Sequence, residues 1–126
     1  LFKKKLAFQL FNPVYGETLF VSTVDKIEPD FLVESHPNHS EERNHFYLHK
    51  VDGTDWPGYT LYHSNSGQYV FVSNDRSGQD HIVEAHPYFK EQRNCFQFQQ
   101  AAADKFLYRI YNATYNEYMF VSNELK

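Results

Sequence analysis

Apolar and polar residues alternate in short runs along the chain, and the runs follow one another at regular intervals. The alternation is clearest in residues 8–10, 59–61 and 96–98. A period of two residues is typical of strands with one buried face. No stretch keeps the helical period of about 3.6 residues over three turns. The pattern therefore predicts an all-β protein.

Three segments of the chain align with one another without gaps, and the triplet Phe-Val-Ser recurs in all of them. The segments are residues 8–22, 59–73 and 108–122, so successive copies are 51 and 49 residues apart. A second block, Val-Glu-x-His-Pro followed by Arg-Asn, occurs at residues 33–44 and again at residues 83–94. Such a period indicates repeated supersecondary units, each with four short apolar runs.

Turn-forming residues separate the predicted strands. One column of the alignment holds Gly16, Gly67 and Asn116, where a hairpin turn needs a positive φ angle. Pro37 and Pro87 end the third run of their units, because proline cannot donate a hydrogen bond to a neighbouring strand. We predict one domain over residues 1–126, whose units are 8–52, 59–101 and, incomplete, 106–126.

Three units of four strands, each close to fifty residues long, resemble the repeats of the β-trefoil superfamily. The resemblance lies in the Phe-x-Leu run, the glycine turn and the Leu-Phe-Val-Ser strand of the units. It implies a barrel made from first and fourth strands, with the middle strands as hairpins around a pseudo-threefold axis. The predicted fold is thus an all-β β-trefoil with an incomplete third repeat. A solenoid or a propeller is the alternative, although three blades are few for a propeller.

The third unit has no counterpart of the third and fourth strands of the second unit, because the chain ends at Lys126, four residues after the last Phe-Val-Ser. An open barrel edge exposes unpaired backbone groups. We expect that the chain is a fragment, that the last strands are disordered, or that a partner segment or an oligomer completes the third repeat.

The second strand of each unit predicts which side chains are buried. One parity is purely aliphatic and is assigned to the core, and it consists of Leu19, Val21, Val70, Val72, Met119 and Val121. The other parity includes Phe20, Phe71 and Phe120 and is expected to face the loops. These three rings are interpreted either as packed under the adjoining hairpins or as a surface for a sugar or an apolar ligand.

Composition excludes several classes of function. The formal net charge is −4, so no basic field attracts nucleic acid. No apolar run is long enough to span a bilayer. The single cysteine, Cys95, cannot form an internal disulfide. Phosphate-binding loops, nucleophile elbows and cysteine pairs for zinc are missing, so we predict a non-enzymatic protein that needs no metal and no cofactor.

Two repeated polar motifs are candidates for chemistry. Glu34-x-His36 and Glu84-x-His86 place a carboxylate and an imidazole on the same side of a strand, as a metal site or a proton shuttle would need. Their recurrence beside proline favours a turn-forming element instead.

An Arg-Asn pair precedes the fourth strand in both complete units. Asn44 and Asn94 are expected to shape the local turn. The arginine before each of them is expected to form an ion pair with Glu42 or Glu91. A pseudo-threefold ligand site is the alternative interpretation.

The combined pattern predicts an extracellular module that binds carbohydrate or a related surface ligand. The alternative is a protein-interaction, structural or storage module that forms part of a larger assembly. The candidate ligand-binding residues lie around the hairpin turns and are Tyr15, Glu17, Asn65, Gln68, Tyr115 and Glu117. Two acceptor sequences for N-glycosylation, at Asn38 and Asn112, favour a secreted protein.

Comparison with known trefoils limits the classes of ligand that we expect. Ricin-type lectins carry Gln-x-Trp in the fourth strand, whereas residues 44–46 read Asn-His-Phe and residues 94–96 read Asn-Cys-Phe. A ricin-type galactose site is therefore not expected. Residues 111–118 are similar to repeats of secreted insect trefoils, including those of the low-molecular-weight haemolymph lipoproteins. That resemblance implies an extracellular binding or storage role and assigns no site residues.

Overall fold

Antiparallel strands provide almost all of the regular structure in the computed structural model, which describes residues 7–38, 40–50, 58–88, 91–101 and 107–122. The strands are β1 (Ala7–Phe8), β2 (Phe11–Asn12), β3 (Glu17–Ile27), β4 (Asp30–His36), β5 (Phe46–Lys50), β6 (Tyr59–His63), β7 (Gln68–Ser77), β8 (Asp80–His86), β9 (Gln97–Gln100), β10 (Tyr108–Asn112) and β11 (Glu117–Tyr118). Two single-turn 3-10 helices span Glu42–Asn44 and Gln92–Asn94. The predicted all-β class is confirmed.

The strands form two antiparallel sheets. Eight of them follow the order β1-β5-β6-β7-β8-β4-β3-β2, and the other three follow the order β11-β10-β9. The hairpins β3–β4 and β7–β8 are copies of each other, because their pairing register shifts at equivalent places, after Val21 and after Val72. The predicted unit ends at 52, 106 and 126 lie outside the described residues.

Positive φ angles occur where the repeat predicts them. Gly16, Gly67 and Asn116 have φ angles of 64°, 69° and 55°. These residues end the turns between β2 and β3, between β6 and β7, and between β10 and β11. Only glycine and, at a small cost, asparagine adopt this conformation readily. The chain direction therefore reverses at the same place in every unit.

The aliphatic parity of the second strands lies in the core, as predicted. Leu19, Val21, Val70 and Val72 pack in one buried cluster, and Met119 packs against its margin. Val121 does the same, and the other buried members of the cluster are Phe46, Leu61, Ala85 and Phe96. The core therefore connects all three units of the chain.

The opposite parity is also largely buried, which agrees with the first of the two interpretations of its rings. Phe20 and Phe71 are only 7 % and 1 % exposed, and Ser22 and Ser73 are buried beside them. Both rings lie beneath groups from the Arg-Asn motif of their own unit. Phe120 is 59 % exposed. Among the described residues, no helix is long and apolar enough to cross a membrane.

Candidate functional site

The repeated His-Pro and Arg-Asn motifs form one packing device in each complete unit. In the second unit, the His86 ring stacks on Phe71 with ring centroids 3.7 Å apart, and the Arg93 guanidinium lies 4.6 Å from the same ring. The Asn94 amide donates to the Val70 carbonyl oxygen at 3.1 Å and contacts His86 Nε2 at 3.2 Å. The motif thus ties the 3-10 helix to the hairpin.

The first unit repeats these contacts closely. His36 stacks on Phe20 at 4.0 Å, and Arg43 lies 4.4 Å from that ring. Asn44 donates to the Leu19 carbonyl oxygen at 3.1 Å and contacts the His36 ring nitrogen at 3.0 Å. Both histidines of the Glu-x-His-Pro motif therefore serve packing, and no group of three metal-binding side chains occurs in the described part of the chain.

The arginines form the expected local ion pairs, with one difference in partner. Arg93 Nε lies 2.8 Å from Glu91, as expected. Arg43 Nε lies 2.6 Å from Glu41 and not beside Glu42. In each unit the acidic partner is the residue that precedes the 3-10 helix, and its main-chain N–H donates a hydrogen bond to the asparagine Oδ1. The Arg-Asn motif is therefore a capping element.

Asn112 is a structural residue in the folded domain. Its side chain is 2 % exposed, and Nδ2 donates to the carbonyl oxygens of Arg93 and Cys95 at 3.3 and 3.1 Å. Its Oδ1 accepts a hydrogen bond from the Thr114 main chain. A glycan on this nitrogen would break these bonds, so the folded domain has no place for it. Asn38 lies on an exposed loop.

The six predicted ligand-binding residues do not form one site. Tyr15 is exposed in the first turn, and Asn65 in the second turn donates to Glu42. Glu17 accepts a hydrogen bond from Ser35 at 2.7 Å. The Gln68 side-chain oxygen is buried without a hydrogen-bond partner among the described residues. The structure brings only Tyr115 and Glu117 together.

Tyr115 and Glu117 meet at a histidine that the sequence did not single out. His81 Nδ1 donates to Glu117 Oε1 at 2.7 Å, and the His81 ring stacks on Tyr115 with centroids 3.8 Å apart and planes 14° apart. The His81 side chain is largely buried. This three-residue arrangement joins the second hairpin to the third unit.

A cavity of about 290 Å³ opens beside this arrangement, and we call it the junction cavity. Its apolar lining includes Val72, Phe96 and Ile110. Its polar and aromatic lining consists of Asp80, His81, Asn112, Glu117, Tyr118 and Phe120. The volume is close to that of a small-ligand site.

The repeat itself marks this junction as unusual. The residues equivalent to His81, Glu117 and Tyr115 one unit earlier are Phe31, Gln68 and Ser66. Phe31 packs on the core, and Ser66 contacts His63 instead. A hydrogen bond between an imidazole and a carboxylate, with a stacked ring, therefore occupies the second junction. A departure from the repeat at these columns was the sequence signal for His81.

Glu84 is a second unusual group, behind the repeated motif. Its side chain is 1 % exposed and lies close to the side chains of Ser73 and Asp75. Burial, with the nearby carboxyl group of Asp75, raises the pKa of Glu84 to about 7. Glu84 belongs to β8 and does not line the junction cavity.

The fold defines an all-β domain built from an internal hairpin repeat, with one polar and aromatic cavity between its second and third units. The chain belongs to the family described as Domain of unknown function (DUF5648), whose model matches residues 6–125. A comparison with curated proteins gave no match.

Proposed function

We propose that the protein is a β-trefoil module that binds carbohydrate outside the cell and has no catalytic activity of its own. The pairing of the fourth strands supports the trefoil. β5 pairs with β1 of its own unit and with β6 of the next unit. β9 pairs with β10, while Phe96 just before it bridges to Tyr59. First and fourth strands therefore alternate in the order of pairing, as they do in the barrel of a trefoil.

One observation carries the binding proposal, namely the junction cavity with His81 held between Glu117 and Tyr115. The repeated histidines are occupied in packing, whereas this one departs from the repeat and lines an open cavity. Polar groups that are held in place beside an apolar lining are typical of ligand sites.

The lining suits a carbohydrate. Sugars present hydroxyl groups at their edges and apolar C–H faces, so their sites combine hydrogen-bonding side chains with aromatic rings. The cavity offers the carboxylates of Asp80 and Glu117 beside the rings of Tyr118 and Phe120. An extracellular location also agrees with the acceptor sequence at the exposed Asn38.

The test uses variants that carry the residue of the preceding unit. His81→Phe, Glu117→Gln and Tyr115→Ser each introduce a side chain that the same column already holds in the fold. A glycan array identifies the sugar, and calorimetry then measures each variant. We expect each change to weaken binding about tenfold or more, which corresponds to about 1.4 kcal/mol.

The matched controls are Tyr15→Ser and Glu17→Gln, the same changes in the first unit, outside the junction cavity. We expect them to bind as the unaltered protein does. Binding that is lost in the controls and kept in the cavity variants would move the site to the first turn. Absence of binding to every glycan would refute the carbohydrate proposal.

A protein-interaction module is the second candidate, because Phe120 is 59 % exposed while its equivalents Phe20 and Phe71 are 7 % and 1 % exposed. A partner segment or a second copy that covers Phe120 would complete the third unit. Sedimentation of the unaltered protein and of Phe120→Ser tests this candidate. Self-association that disappears in the variant supports it, and two identical monomers would contradict completion by a second copy. Because Phe120 lines the cavity, glycan and partner would exclude each other.

A further inference from the structure

The charge of the junction cavity is negative. Its ionisable side chains are Asp80, His81 and Glu117, and no lysine or arginine among the described residues lines it. Two carboxylates outweigh one imidazole even when that imidazole is protonated. The whole chain also carries a formal charge of −4. A cleft lined by one sign of charge raises the local concentration of oppositely charged ligands.

The amide of Asn112 and the hydroxyl of Tyr118, two side-chain donors at the cavity, are already used within the protein. Both N–H bonds of the Asn112 amide are directed to main-chain carbonyl oxygens, those of Arg93 and Cys95. The Tyr118 hydroxyl donates to Gln99 Oε1 at 2.9 Å. A ligand group that only accepts hydrogen bonds, such as an acetyl carbonyl or a carboxylate, therefore finds few side-chain partners.

The side-chain acceptors are the groups that remain. Glu117 Oε1 holds His81, and the second oxygen of Glu117 and the carboxylate of Asp80 are the further charged acceptors of the described lining. Carboxylates form their strongest hydrogen bonds with charged donors. The lining therefore matches a ligand with many N–H and O–H groups and at least one positive charge.

The exposed rings favour the same ligand. Tyr118 is 48 % exposed and Phe120 is 59 % exposed at the cavity. A cation within about 6 Å of an aromatic centroid gains about 0.5–1 kcal/mol at exposed sites. The apolar face of a sugar ring also packs on such aromatic surfaces.

We infer that the carbohydrate of the junction cavity carries a protonated primary amine, as an oligosaccharide of glucosamine does. This inference rests on the proposed function and adds the class of sugar to it. Neutral sugars lack the charge that the two carboxylates attract. Uronic acids are repelled, and N-acetylation removes the positive charge and adds an acceptor.

Calorimetry with three tetrasaccharides tests the inference: one of glucosamine, one of N-acetylglucosamine and one of glucose, all β-1,4-linked. At a pH that protonates the amine, we expect the glucosamine tetramer to bind about tenfold more tightly than the other two. Added salt should reduce this preference, because it screens charges at an open site.

Two charge-removing variants locate the effect. Asp80→Asn and Glu117→Gln should each reduce the preference for the amine, while Glu17→Gln, which alters an acid outside the cavity, should leave it unchanged. Thermal unfolding of all three variants checks that they fold.

The outcomes distinguish a failure of the amine inference from a failure of the proposed carbohydrate binding. Equal affinity for the three tetramers would overturn the amine inference and leave carbohydrate binding intact. Binding of a simple diamine as tight as that of the glucosamine tetramer would overturn the assignment to a sugar. Tighter binding of the N-acetylated tetramer would overturn the inference directly. Failure to bind any glycan, on the array and in calorimetry, would instead refute the proposed function.

Discussion

Replacement of Glu84 by glutamine should change how the stability of the domain depends on pH. Glu84 is 1 % exposed, and burial raises its pKa from 4.5 to about 7. In the unfolded chain the carboxyl group regains its ordinary pKa. Between the two values the folded state holds more proton than the unfolded state, so stability falls as the pH rises through this range.

The magnitude follows from the two pKa values. A difference of one in pKa corresponds to about 1.4 kcal/mol, so the rise from 4.5 to about 7 costs the folded state about 3 kcal/mol once the carboxylate is ionised. Glutamine has no charge to bury. The free energy of unfolding of Glu84→Gln, relative to the unaltered protein, should therefore increase by about 3 kcal/mol from pH 4 to pH 8.

Urea unfolding at a series of pH values measures this difference, since every other group titrates in both proteins. The surface control is Glu28→Gln, whose carboxylate is exposed and paired with Lys26 at 3.0 Å. We expect Glu28→Gln to change the free energy of unfolding at pH 8 by no more than about 0.5 kcal/mol, because it removes no buried charge. A curve for Glu84→Gln that runs parallel to that of the unaltered protein would refute the argument that this carboxyl is ionised at a cost.

Two further predictions concern the scaffold. Asn94→Ala should lower the free energy of unfolding by about 2 kcal/mol or more, because it leaves buried partners of the amide without a hydrogen bond; urea unfolding measures the loss, and an unchanged midpoint would contradict the capping role. Gly58→Ala should cost about 1–3 kcal/mol, because Gly58 has a φ of 120° and an added Cβ would lie 2.3 Å from the Phe96 carbonyl oxygen. A variant as stable as the unaltered protein would show that this close approach relaxes without cost.

The sequence showed which residues of the second strands share a face of the sheet. It showed only in part which of the two faces is buried. Leu19 and Val70 lie in the core as predicted. For Phe20 and Phe71 the sequence left open whether the rings are packed or form a ligand surface, and they are packed because a 3-10 helix more than twenty residues away folds over them. Alternation distinguishes two faces, and it does not reveal what covers each face.

The repeated motifs, too, could be interpreted only in part from the sequence. The recurrence of Glu-x-His-Pro favoured a turn element over a metal site, and both histidines do pack on phenylalanine rings. The recurrence did not predict that Arg43 pairs with Glu41. The sequence alone does not distinguish two adjacent carboxylates as ion-pair partners of the arginine. The geometry of the 3-10 turn decides which of them forms the pair.

The candidate site was predicted in part. Tyr115 and Glu117 were selected from the turn positions, and both contact His81. His81 itself lies 36 residues from Glu117 in the chain. Its place in the β7–β8 hairpin was readable from the repeat, but its contact with the third unit was not.

The amino-acid order by itself determined the strands, the turns and the repeat. These depend on alternation over a few residues and on the φ angles that Gly16, Gly67 and Asn116 allow. Only the tertiary structure decided that Phe20 is covered and that His81 meets Glu117. Such contacts depend on how whole hairpins pack around a shared core, and that arrangement is set by all the units at once, not by any local segment.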